Sequence, residues 1–214
     1  MAKDTSLDFA NTADWHAGPN PEERLTTYRE AVAWAVSTGI MSESQGRRLV
    51  VYADAHPGEQ AKALRRIVAL REAIYRIFSA VAHDRPPDAA DISLLNLELG
   101  SALSHLRLVE AGKDGRGTAR AAAEPDAPRF GWSWAGMEDE LTSLLWPVAR
   151  AATALLTSSD LARVRECADD ACGWLFLDHS RNGSRRWCDM ADCGNRAKAR
   201  RYRERRKEES AVKS

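Results

Sequence analysis

The sequence predicts a mainly α-helical fold, in which a helical N-terminal domain with a small β-hairpin precedes a small cysteine-bearing module. Apolar residues recur at helical spacing over most of the first 160 residues, and two short segments alternate instead. All four cysteines lie after residue 166. We therefore expect a helical domain over residues 1–160, the module over residues 161–208 and a disordered tail over residues 209–214.

Helical periodicity and end signals place the elements of the first domain. The predicted helices cover residues 21–39, 42–56, 59–84, 91–103 and 138–157. Ser42 and Gln45 are typical of a capping box at the start of the second, and Pro147 is expected to kink the last. Residues 105–110 and 130–134 alternate like the strands of a hairpin, and the Gly/Ala/Pro/Asp-rich loop between them is expected to be mobile. A short helix over residues 161–165 is expected to lead into the first cysteine.

The charge of the chain is zero overall but divided between its two ends. From residue 161 to residue 214 there are fourteen Lys/Arg against nine Asp/Glu, a net charge of +5, so the first 160 residues carry −5. This asymmetry suggests an anionic partner for the C-terminal end. No apolar stretch reaches the length of a membrane span, and no secretory signal is visible at the start, so we expect a cytoplasmic protein without membrane contact.

The four cysteines form two pairs of identical spacing. Cys167 and Cys172 are one C-x4-C pair, and Cys188 and Cys193 are the other, with fifteen residues between the pairs. Zinc takes four soft ligands in a tetrahedron, commonly as two close pairs from separate turns. The spacing therefore predicts one structural Zn²⁺ held by the four sulfurs.

Other interpretations of the cysteines stay open at this point. Two disulfides would require an oxidising compartment, and four unrelated buried thiols would not explain the clustering. A redox switch that uses the same pairs is a further alternative. His179 lies between the pairs and is a candidate to replace one cysteine as ligand.

The residues around the cysteines predict a knuckle, a hairpin, a second knuckle and a helix. Residues 173–179 are apolar like a strand, Asn182-Gly183 favours a tight turn, and residues 185–188 are expected to return as a second strand. Strong helix formers without Gly or Pro follow over residues 195–209. This order is that of a treble-clef-like zinc module, whose small core requires the metal for folding.

The helix after the last cysteine is strongly basic, and this favours phosphate binding. We expect DNA as the partner, RNA as an alternative with stacking on Trp174, Phe176 or Trp187, and a protein-interaction or redox-sensing module as the third class. Asn195 and Arg196 are candidates for base edges, since groove-reading helices contact bases from their N-terminal ends. The candidate nucleic-acid-binding residues are Arg181, Arg185, Arg186, Asn195, Arg196, Lys198, Arg200, Arg201, Arg203, Arg205 and Lys207.

No catalytic motif is present, and we expect no enzyme. The five histidines are scattered, and a closed four-thiolate site leaves no position for a catalytic water. Four polar and aromatic residues near the start form a candidate pocket for a small-molecule effector. They are Asp8, Asn11, Trp15 and His16. The simpler interpretation is a structured segment in which Asn11 or Thr12 caps a turn.

Two sets of residues resemble a known family. Cys188-Asp189-Met190 with Cys193-Gly194-Asn195-Arg196 is similar to the CGNR zinc finger, and WLFLDHSRNGSRRWC and KARRYRERR extend the match. Upstream, residues 7–12, residues 70–72, the paired tryptophans 132 and 134 and the Leu-rich last helix resemble the ABATE domain. The resemblance implies a bacterial, stress-related transcription regulator whose metal ligands are the four cysteines. Its helical domain would dimerise, sense an effector, or both.

Overall fold

The computed structural model describes residues 4–110 and 129–211. In these ranges the chain forms seven α-helices and three two-stranded antiparallel sheets, which confirms the mainly helical fold. The helices are Thr5–Ala10 (α1), Tyr28–Ser37 (α2), Glu43–Ala55 (α3), Pro57–Ala82 (α4), Ala89–His105 (α5), Leu145–Leu156 (α6) and Asn195–Ala211 (α7). The strands are Ala13–Asp14 (β1), Glu22–Glu23 (β2), Leu106–Glu110 (β3), Phe130–Trp134 (β4), Val164–Glu166 (β5) and Leu175–Leu177 (β6), paired β1–β2, β3–β4 and β5–β6. No described helix has the length and apolarity required to cross a bilayer.

The chain divides into two compact units that are not contiguous in sequence. One contains residues up to 26, residues 71–93 and residues from 151 onward, and the other contains residues 27–70 and 94–150. Helix α4 contributes its beginning to the second unit and its end to the first. The domain boundary that the sequence predicts near residue 160 therefore stays a prediction.

Side-chain caps fix the starts of α2 and α3. Ser42 accepts from the Gln45 backbone N–H while Gln45 bonds back, so the predicted capping box is confirmed. Thr27 and Glu30 form a second capping box, which starts α2 at residue 28 rather than at residue 21. The residues before this cap do not continue a helix, because Glu22 and Glu23 pair with β1.

The predicted hairpin is present, with Leu108 opposite Trp132 in the β3–β4 register. The loop between these strands falls on residues 111–128, so its expected mobility lies outside the described residues. The helix predicted over residues 138–157 begins instead at Leu145, because the preceding residues form turns such as the Ser143 N–H to Glu140 carbonyl bond. Pro147 therefore lies in the first turn of α6, where no helical hydrogen bond requires its N–H. The predicted kink depended on a position in the middle of a longer helix.

The first unit brings the N-terminal segment onto the C-terminal module. The buried Asn11 side chain donates from Nδ2 to the Leu175 carbonyl (2.8 Å) and accepts from the Leu175 N–H at 2.9 Å. The last part of α4 lies beside this segment, where Glu72 is 3.0 Å from His16 Nε2 and the Tyr75 ring stacks on His16 at 3.6 Å. The module therefore shares its core with residues from the start of the chain.

Candidate metal centre and basic helix

The four cysteine sulfurs lie together. All four Sγ atoms are within 4.8 Å of one another, and the three separations among Cys172, Cys188 and Cys193 are 3.5–3.7 Å. Four sulfurs at about 2.3 Å from a central zinc ion are about 3.8 Å apart in a regular tetrahedron. The donor set and its spacing therefore fit Zn²⁺. His179 is exposed and does not belong to this cluster.

The first knuckle forms between two paired strands. Strand β5 leads directly into Cys167, whose N–H donates to the Trp174 carbonyl at 2.9 Å just before β6. The turn between them closes with the Cys172 N–H donating to the Asp169 carbonyl at 2.9 Å. Strand pairing on both sides of the turn brings the two sulfurs of the first pair to one end of the hairpin. A 3-10 helix, Ser159–Arg163, precedes β5, so the short helix predicted over residues 161–165 lies earlier and ends sooner.

The second knuckle is a single turn that leads into α7. The Asp189 carboxylate accepts from the backbone N–H groups of Ala191 (2.6 Å) and Asp192 (3.2 Å), which caps a π-helical turn at Met190–Gly194. Cys193 is buried in this turn, and α7 begins two residues later. The last of the four cysteines therefore lies directly before the start of the basic helix. Helix α7 continues to Ala211, so three residues of the predicted disordered tail are helical.

The predicted pairing of strands inside the module is wrong in one respect. Residues 173–179 do contain a strand, β6, and the turn after it places Gly183 at a φ of 60° as Asn-Gly predicts. However, β6 pairs with β5, and residues 185–188 do not form a strand. Side-chain bonds hold this segment instead, since Asp178 Oδ2 accepts the Arg185 N–H at 2.9 Å.

Arg196 and Arg200 turn toward the first knuckle rather than away from the module. Arg196 Nε donates to the buried Asp169 carboxylate at 3.2 Å, and its Nη1 pairs with Asp192. Its Nη2 lies 2.8 Å from Cys193 Sγ. Arg200 lies 3.7 Å from the same Asp169 carboxylate. Part of the basic charge of α7 is thus neutralised inside the module.

Other predicted contact residues are exposed. Asn195 is exposed, but its amide donates to the Ala191 carbonyl at 2.8 Å, and the half-buried Arg185 donates to the carbonyls of Trp187 and Cys188. Among the predicted nucleic-acid-binding residues, five are exposed and form no ion pair with another described residue, namely Arg181, Arg186, Lys198, Arg203 and Arg205. Arg201 and Lys207 belong to α7, and their side chains lie outside the described part of the structure.

Among the candidate effector residues, Trp15 lines a described cavity, and the others lie in or beside α1 and α4. Asp8 is half-buried in α1, and Asn11 and His16 make the backbone and side-chain bonds given above. Trp15 lines a cavity of about 420 Å³, together with Arg24, Trp174 and residues of the cysteine cluster. The structured-segment interpretation of this region is therefore supported. Its main contacts come from the Asn11 side chain, which bonds to the Leu175 backbone, rather than from Thr12.

Sequence reasoning missed two residues that support the site, Asp169 and Arg24, and it assigned Trp15 to a candidate effector pocket rather than to a contact with Arg196. Asp169 is buried and pairs with Arg196 and Arg200 of α7, Trp15 lies under Arg196, and Arg24 lies beside Trp174. The Asp169-Asp170 pair between two cysteines was visible next to a basic helix, and opposite charge was a usable signal. The two tryptophan contacts join residues far apart in sequence, and no local pattern predicts them.

The fold and the cysteine cluster define a helical protein with a C-terminal zinc module. Residues 3–159 match the ABATE family model, described as a putative stress-induced transcription regulator, and residues 163–206 match the CGNR zinc finger. Since the first match covers more than half of the chain, the chain belongs to the ABATE family and ends in a CGNR zinc finger, as the resemblance implied. The comparison with curated proteins finds no match.

Proposed function

We propose that the chain is a DNA-binding transcription regulator whose single structural zinc ion holds a basic helix in place. The observation that supports this proposal most is the set of exposed basic residues on the zinc module that form no ion pair with another side chain of the described ranges, which are Arg181, Arg186, Lys198, Arg203 and Arg205. Phosphate binding requires such positive charge on a rigid support. In our proposal the zinc site provides this support, because α7 begins two residues after Cys193. The regulatory role is taken from the family description.

The contact surface that we propose differs from the stripe that helical spacing alone suggests. Because Arg196 and Arg200 pair with Asp169, we propose that they support the helix and that other residues contact the nucleic acid. Lys198 and Arg205 are seven positions apart and lie on one face of α7, away from those two arginines. This exposed face is the one that we propose contacts the sugar–phosphate backbone.

We also propose that the chain is not an enzyme. Four thiolates fill the coordination sphere of zinc and leave no position for a water nucleophile. The structural role of the zinc is to join two turns, each of which is too short to be stable without it.

Equilibrium binding of the full-length, zinc-loaded chain to labelled duplex DNA over a range of salt concentrations tests the proposal. Competition with single strands and structured RNA belongs to the same experiment. We expect log affinity to fall linearly with log salt, with a slope of about −0.9 per phosphate contact. Preference for unpaired RNA would instead favour base stacking, although Phe176, one of the predicted stacking rings, is buried beneath Arg185 (4.7 Å). A slope near zero would contradict nucleic-acid binding altogether.

A charge variant with a matched control identifies the contact surface. The double variant Lys198→Gln, Arg205→Gln should reduce the salt slope by about two and weaken binding about tenfold. The control Arg29→Gln, Arg47→Gln removes two exposed arginines of the helical domain, which form ion pairs with Asp54 and Glu43. Equal losses in the two variants would show that binding follows net charge rather than this face.

A further inference from the structure

Arg196 contacts three separate parts of the first unit. Its Nε donates to Asp169 of the first knuckle, and its Nη2 lies 2.8 Å from Cys193 Sγ of the second. Its guanidinium also stacks on the Trp15 ring, with 4.5 Å from Cζ to the ring centroid. Among the described residues, Trp15 is the one side chain of this network that comes from residues 1–160.

The contact with Cys193 has a direct chemical meaning for a zinc site. Four thiolates bring more negative charge than Zn²⁺ neutralises, and a guanidinium N–H that points at sulfur stabilises the excess charge. Groups that hydrogen bond to metal ligands orient those ligands and tune their donor strength. Arg196 is placed to do this for Cys193, and Asp169 and Asp192 hold its guanidinium in that orientation.

The N-terminal segment, residues 11–18, is fixed tightly where Trp15 meets Arg196. Trp15 adopts a positive φ of 55°, a conformation that bulky residues rarely adopt without surrounding constraint. The constraint comes from its neighbour, because the His16 N–H donates to the Cys172 carbonyl at 3.1 Å. The ring of Trp15 is thus held against Arg196 by a backbone bond to the first knuckle.

We propose that Arg196 is a positioning residue that couples zinc retention to the N-terminal segment. Trp15 restrains the guanidinium, the guanidinium stabilises the Cys193 thiolate, and the ion therefore leaves more slowly while residues 11–18 remain docked. Displacement of this segment loosens Arg196 and weakens the zinc site, although the segment contributes no ligand. The proposal depends on zinc binding and is independent of nucleic-acid binding.

Zinc transfer from the full-length chain to a chromophoric chelator tests this coupling. Arg196→Gln should weaken zinc affinity about 10–100-fold, the usual effect of removing a group that supports a ligand. Trp15→Ala should weaken it about threefold to tenfold, and Trp15→Phe should restore most of the loss because a ring face remains. Arg163→Gln is the control, since this exposed arginine lies before β5 and pairs with Asp160 at 3.5 Å. It should retain zinc like the wild type.

Two further readouts separate positioning from simple stabilisation. In the double variant Trp15→Ala, Arg196→Gln, zinc affinity should equal that of Arg196→Gln alone, because Trp15 acts through the missing guanidinium. In cobalt-substituted protein, the sulfur-to-metal charge-transfer band should move to lower energy in Arg196→Gln and less far in Trp15→Ala. Independent, multiplicative losses in the double variant would overturn the coupling. An unshifted band in folded Arg196→Gln would overturn the role of the N–H···S bond.

Discussion

Individual residues of this chain show how strongly the module depends on distant partners. Gly173 follows Cys172 with a positive φ of 66°, and a Cβ there would lie 2.6 Å from the Ala17 nitrogen and 2.7 Å from the Tyr75 hydroxyl. Real Cβ atoms do not approach backbone atoms this closely. The glycine therefore permits the first knuckle to lie directly against the N-terminal segment and α4.

A substitution at this glycine should be far more costly than one at a similar turn glycine. Gly173→Ala is expected to destabilise the chain by about 2–4 kcal/mol, because backbone strain adds to a steric overlap. Gly183→Ala is the matched control, with a φ of 60° and no atom within 4 Å of the added Cβ. It should cost only about 1 kcal/mol in urea unfolding of the zinc-loaded chain. Equal costs would contradict close packing at the knuckle.

At the level of elements, α4 anchors the start of the chain, from His16 to Glu23, through charged side chains. Arg71 is buried and donates to both Glu23 oxygens at 2.5 and 2.6 Å, and to Glu72 at 2.7 Å. Burial raises the pKa of Glu72, but the hydrogen bonds from His16 and Arg71 outweigh it and hold the pKa at about 2. Folding therefore favours the ionised form of this carboxylate.

This depressed pKa predicts a pH-dependent contribution to stability. Since the pKa of Glu72 is lower in the folded chain than its usual 4.5, its contribution is complete above about pH 5 and decreases as the pH falls toward 2. Glu72→Gln should lower the free energy of unfolding by on the order of 1–3 kcal/mol at neutral pH. The difference from the wild type should shrink as the pH falls from about 5 toward 2. Urea unfolding at several pH values measures it, and a constant difference would refute this origin.

Local signals in the sequence predicted many elements, and long-range contacts explain the failures. The Ser42–Gln45 capping box and the alternation of β3 and β4 depend on neighbouring residues, so they were recognised. The return strand at residues 185–188 was predicted from a turn signal alone. It does not form because β5 occupies the pairing position beside β6. The cysteine ligands were identified from spacing, whereas the role of Arg196 depends on Asp169 and Trp15, which lie at least 27 residues away.

On the scale of the whole molecule, each family match covers one continuous range of residues, whereas each compact unit combines separate ranges. The matches meet between residues 159 and 163, whereas the first unit combines the zinc module with residues up to 26 and with residues 71–93. Asn11 joins these parts through both polar backbone groups of Leu175. The cysteine module thus packs with residues of the ABATE region, and the basic helix begins two residues after its last cysteine.

The zinc content of freshly purified, reduced, full-length protein tests the central claim most directly. The account predicts one zinc ion per chain by inductively coupled plasma mass spectrometry, and loss of that ion in Cys172→Ser, Cys193→Ser. A content well below one per chain in the wild type would contradict a structural zinc site formed by the four cysteines, and with it the support that we assign to α7.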